Sequence, residues 1–103
     1  MFVNLTPHQI DEVTTGLSIP SAGVARIKMQ SRIICTVDNV PLYRSCYVGS
    51  LEGLPEPAKD TIYIVSALAL NAVPADRTDV VAPGDVVRDE AGRVIGCKGF
   101  RCH

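Results

Sequence analysis

Proline and glycine interrupt this 103-residue chain so often that no regular element can run long: seven prolines and eight glycines are spread along it. Proline supplies no backbone N–H and fixes its own φ, while glycine marks turns and close approaches. A chain divided in this way predicts many short strands joined by turns, with little room for helix. The longest apolar stretch, TIYIVSALALNAV, falls short of the roughly 18 residues that suggest a membrane span. The start, MFVNLTPHQ, lacks a basic lead and an apolar signal core, which argues against secretion and for a cytoplasmic setting.

Between the breaks the pattern is mostly β. FVNL predicts a short strand that Thr6-Pro7 interrupts, and QIDEV resumes it before a turn at TTG. LSIPSAG, with Pro20 and Gly23, reads as an edge or loop. VARIKM alternates, with Ala25, Ile27 and Met29 on one face and Arg26 and Lys28 on the other, and predicts a half-buried strand. RIICTVDNVPLYRSCYV predicts a hairpin turning at Asp38-Asn39, with Pro41 at a sheet edge or bulge. GSLEGLPEPAKD is a loop. TIYIV predicts a central strand, being almost wholly apolar or β-branched. SALALNAV predicts a helix of about two turns, capped by Ser66 and stopped by Pro74. PADRTDVVAPGD reads as a polar loop. VVRDEAGRVIGCKGF predicts a second hairpin, with its turn at Asp89 to Gly92. The expected architecture is one α+β, β-rich domain over residues 1–103. It would form a small bent sheet or open barrel of about six or seven short strands with one short helix.

Composition narrows the function classes. Apolar content is 47 % and net charge −1, which argues against a general nucleic-acid binder, since that needs a basic field. Seven of the ten basic residues are arginine; arginine forks suit a discrete phosphate or carboxylate, and equally a solvated strand face. The four cysteines, Cys35, Cys46, Cys97 and Cys102, show no C-x-x-C spacing. Cys97, Cys102 and His103 cluster loosely, but free thiols are the expectation, with no metal and no cofactor.

No nucleophile elbow, phosphate loop or paired-carboxylate constellation is present, so catalysis is not the leading expectation. The polar run Asn4-Leu5-Thr6-Pro7-His8 carries two readings. In the local one, Asn4 or Thr6 bonds nearby backbone, Pro7 stiffens the bend and His8 packs half-buried. In the functional one, Asn4, Thr6 and His8 line a hollow, and Arg77 and Asp79 fold back into it to hold a small anionic ligand such as a nucleotide.

The opening Asn4-Leu5-Thr6-Pro7-His8 resembles that of a group of short, uncharacterised proteins carried by bacteriophages and prophages. So do IPSAGVAR (19–26), Arg44-Ser45, LEGLPEP (51–57), TIYIVSAL (61–68), VPADRTDVVAP (73–83) and VVRDEAGRVIG (86–96). Together these segments span most of the chain. Members tend to read Pro-Pro-Ser-Gly where this chain has Ile19-Pro20-Ser21-Ala22-Gly23, and the cysteines do not belong to the pattern. The resemblance implies an origin rather than a mechanism. By analogy of class, it implies a non-enzymatic accessory protein that binds a host protein or a small anionic ligand, in a counter-defence role. Two alternatives stand beside it. One is a small hydrolase or transferase using His8 as base with Asp79 or Asp89. The other is a virion-associated or homo-oligomeric structural protein built through the edge strand near Pro41.

Overall fold

The computed structural model describes residues 1–27, 29–47 and 51–103. Among them are eight strands and one short helix: β1 (Phe2–Asn4), β2 (Ile10–Glu12), β3 (Leu17–Ile19), β4 (Met29–Val37), β5 (Val40–Tyr47), β6 (Ile62–Ile64), α1 (Ala67–Asn71), β7 (Val80–Arg88) and β8 (Val94–Arg101). Six strands form one mixed sheet in the order β1-β6-β7-β8-β2-β3, and β4 and β5 form a separate pair. The six-stranded sheet curls until its ends meet, where Asn4 bridges Ser21 just beyond β3 and the Ala22 amide donates to the Asn4 carbonyl at 2.8 Å. The expected bent, β-rich α+β sheet is the observed architecture.

The curl explains why TIYIV is apolar throughout. Strand side chains alternate between faces, and β6 is covered on both. Ile64 joins Ile10, Ile19, Val81 and Cys97, each from a different strand, in the interior of the curl. Tyr63 and Val65 point to the other side, where Val80, Ala82, the α1 residues Ala69 and Leu70, and the incoming Leu5, Ala25 and Leu51 form a second cluster. Burial of an aliphatic side chain of this size contributes about 2 kcal/mol. Ser66 caps α1 by accepting the Ala69 amide at 3.2 Å, and the helix ends at Ala72, two residues before Pro74.

Two local expectations need correction. DVVAPGD is not loop, because β7 begins at Val80 and runs through Pro83. The proline is tolerated because the parallel ladder stops beside it. The Val65 amide donates to the Val81 carbonyl, and the next rung would need an N–H from residue 83, which proline lacks. Gly84 then lets β8 approach closely, since a Cβ there would sit 2.2 Å from the Lys98 carbonyl oxygen. The VARIKM strand is also absent through Ala25–Ile27. Ala25 is buried and Arg26 exposed, as the alternation implied, but the backbone makes only an isolated bridge from Arg26 to Glu52. Lys28 lies outside the described residues.

One buried carboxylate ties the curl to its far strand. Glu12 accepts the Thr14 and Gly99 amides on Oε1 at 3.0 and 2.9 Å, and the Thr15 amide on Oε2 at 2.9 Å. Both threonine hydroxyls donate to it as well. These bonds, the Thr14 and Thr15 hydroxyls foremost, hold its pKa far below the usual 4.5. The depressed value means that the stabilisation is complete above the unfolded pKa and is lost as pH falls below about 4.5. Urea midpoints measured across the acid range should therefore drop below that pH. Glu12→Gln should have a lower midpoint at neutral pH, because its amide NH2 opposes the donors, and a shallower loss in acid.

Candidate functional site

The Asn4–His8 run is built as an internal joint. Asn4 pairs with Ile64 across β1 and β6, so its side chain enters the interior of the curl and is wholly buried. Its Nδ2 donates to the His8 carbonyl at 2.8 Å and the Ile19 carbonyl at 3.0 Å. Its Oδ1 accepts the Thr6 amide at 2.9 Å and lies 2.6 Å from the Thr6 hydroxyl. That hydroxyl also faces the His8 carbonyl at 3.0 Å. Both ends of the amide are thus spent inside the protein, as a buried amide requires. His8 contributes its main chain to this joint, and its ring is exposed rather than half-buried.

Arg77 and Asp79 form a different cluster. Arg77 donates through Nε and Nη2 to the two Asp79 oxygens at 2.9 and 3.1 Å, and through Nη2 to the Pro55 carbonyl at 2.9 Å. The hydrogen bond to Arg77 holds the Asp79 carboxyl below its ordinary pKa, and its partner raises Arg77. The pair lies just before β7 and pins the 51–57 loop against the sheet. That loop is also held by Tyr63, whose hydroxyl donates to the Glu56 carbonyl at 3.2 Å.

These two clusters do not meet in one hollow. Asn4 stands at the C-terminal end of β1, level with Ile64 and Val81, whereas Asp79 precedes the N-terminal end of β7. A hollow of about 530 Å³ includes Thr6, Ser66, Gly84 and Arg101 in its lining, but neither Arg77 nor Asp79. A smaller groove of about 210 Å³ is walled by Asp11, Pro83, Val86, Val94, Ile95 and Cys97, among others. The shared anion site expected from the sequence is therefore not assembled: one half is a closed joint and the other an internal ion pair.

The hydrolase geometry is not assembled either. Asp79 is held by Arg77, and Asp89 closes the β7–β8 turn by accepting the Ala91 and Arg93 amides, each at 2.9 Å; neither is hydrogen-bonded to His8. Cys35, Cys97 and Cys102 are free thiols, and the Cys46 side chain lies outside the description. Burial pushes the Cys97 thiol pKa up, which makes it a core residue rather than a reactive one. Among the described residues, no group of three His, Cys, Asp or Glu side chains could hold a metal ion, and no helix is long and apolar enough to cross a membrane.

The feature that the sequence did not announce is the isolation of the β4–β5 hairpin. Its turn is as expected, with Asp38 and Asn39 at positive φ and Val37 paired with Val40. Yet among the described residues the hairpin pairs with no other strand, and it exposes Ile33, Ile34, Val37, Val40, Leu42 and Tyr43, each by 41 to 59 %. A lone two-stranded hairpin is marginal in water, and these exposed apolar side chains lie on both of its faces. In comparisons with known proteins, no family model, curated protein or solved structure matches the chain.

The joint and the exposed ring make opposite predictions for neighbouring residues. Asn4→Ala removes the side-chain partners of the Ile19 carbonyl and the Thr6 amide, both buried bonds, and should cost about 2–4 kcal/mol in urea unfolding. His8→Ala leaves the same backbone bonds in place and should stay within about 0.5 kcal/mol of the parent. A large loss for His8→Ala would contradict the assignment.

Proposed function

We propose that this chain is a non-enzymatic accessory protein of a phage or prophage that acts in the host cytoplasm by binding another protein, with the β4–β5 hairpin as its binding surface. The observation that carries this reading is the hairpin itself: six exposed apolar side chains on an arm that, among the described residues, pairs with no other strand. The phage setting rests on the sequence resemblance. A protein target is favoured over a small anion because the guanidinium of Arg77, the side chain best suited to an anion, already serves Asp79 and Pro55. A counter-defence role fits a protein that works by occupying a host component, and it remains part of the proposal.

The arm has the anatomy of a recognition element. Apolar anchors at its centre are flanked by Arg32 and Arg44, a side-chain type enriched at binding hot spots. The double variant Leu42→Asp/Tyr43→Asp places a charge on each face of the hairpin, at side chains that the six-stranded body does not use. It should keep the parent circular dichroism and melting temperature. It should lose the proteins, or the additional copies of itself, that the immobilised parent retains from host-cell extract. Equal retention by parent and variant would remove the hairpin as the binding surface.

A further inference from the structure

The hairpin and the body carry surfaces that suit each other. On β5, Val40, Leu42 and Arg44 share a face because strand residues two apart point the same way, and Arg32 stands directly across from Arg44. The face is therefore apolar at its tip and cationic toward its base. Like charges directly opposite one another are destabilising. The paired strands hold no carboxylate to relieve them, the one nearby acid, Asp38, being in the turn. The groove across β7, β8 and β2 is the counterpart. Val86, Val94 and Ile95 are exposed there by 50 to 60 %, and Asp11 stands at its wall. Gln9 Nε2 and the Ser18 hydroxyl both donate to Asp11 Oδ1. Those bonds, with Ser18 the larger contributor, keep the carboxyl pKa low. Oδ2 has no hydrogen-bond donor among the described residues and remains open to a cation.

The surface area points to what covers both. A compact monomer of this mass exposes about 5,600 Å², whereas this chain exposes 7233 Å². Its radius of gyration is 16.9 Å where a compact chain of this length has about 13 Å. The excess, about 1,600 Å², is ample for a stable interface, which takes about 800 Å² from each partner.

We propose that the occupant is a second copy of this chain. The two molecules exchange arms about a two-fold axis, the Val40–Leu42–Arg44 face of each hairpin seating in the β7–β8 groove of the other, with Arg32 and Arg44 toward Asp11. The contact is isologous and closes at two copies. This inference rests on the reading that the hairpin is the binding surface, and it names the partner.

Charge exchange tests it. Sedimentation equilibrium of the parent at micromolar concentration should give twice the chain mass of 11.0 kDa. Arg32→Glu/Arg44→Glu should be monomeric, as should Asp11→Arg, with circular dichroism confirming that each is folded. Mixing the two variants should restore the doubled mass as a heterodimer, because both arm–groove contacts then join opposite charges. Should Asp11→Arg fail to fold, Asp11→Asn keeps an oxygen for the Ser18 and Gln9 bonds and should weaken the dimer measurably. A monomeric parent overturns the inference, and so do homodimers that persist in both charge variants or a mixture of folded variants that stays monomeric. If the parent is monomeric while Leu42→Asp/Tyr43→Asp still loses a host protein, the binding-surface reading stands and only the second copy falls. If the hairpin variants change neither mass nor capture, both fall.

Discussion

The fold depends on one buried amide. A curled sheet of three-residue strands has little ladder with which to close itself, and the residue that brings its ends together is Asn4. Its carbonyl receives the Ala22 amide, and its side chain spans from the end of β3 to the turn after β1. An aliphatic residue would fill the same interior position beside Ile64, but it would remove the Asn4 donor from the Ile19 carbonyl and the Asn4 acceptor from the Thr6 amide. Such an orphaned group costs more than the hydrogen bond is worth when made, so the joint is specified by the penalty for its absence. Glu12 repeats the logic on the other side of the curl, gathering the Thr14–Thr15 turn and Gly99 around one carboxylate.

Once the polar residues of the body are assigned to holding it together, the functional weight moves to the arm. Asn4, Thr6, Arg77 and Asp79 looked like ligand groups because they are the side chains that binding sites use. Here the partners of those side chains lie within the protein. The hairpin, by contrast, has exposed apolar side chains on both faces and, among the described residues, no strand paired with it. Contact with another protein is what the proposed function assigns to those side chains.

Much of the architecture was legible because its signals are local. Asp38-Asn39 gives a two-residue turn through left-handed backbone at both positions, Gly92 closes the second hairpin, and Ser66 starts the helix that Pro74 limits. TIYIV announces a strand covered on both faces. What escaped depends on groups distant in sequence. Pro83 read as a break because the end of β6 beside it cannot be seen from residues 80–85. The alternation at Ala25–Ile27 describes burial correctly, but it does not say whether a neighbouring strand is there to pair. The local reading of the Asn4–His8 run was sound in kind, yet the bond to Ile19, fifteen residues away, is what makes it a closure rather than a bend. The isolation of the hairpin had no sequence signal, since its alternation suits a strand inside a sheet as well as one outside it.

The most direct test of the closure is hydrogen exchange of the Asn4 side-chain amide, followed by nuclear magnetic resonance on the intact protein. If that amide holds the curl shut, its Nδ2 protons should exchange only when the whole domain opens, as slowly as the backbone amides of Ile64 and Val65. Exchange at the rate of a solvent-exposed asparagine, with those backbone amides still protected, would show that the sheet closes without it.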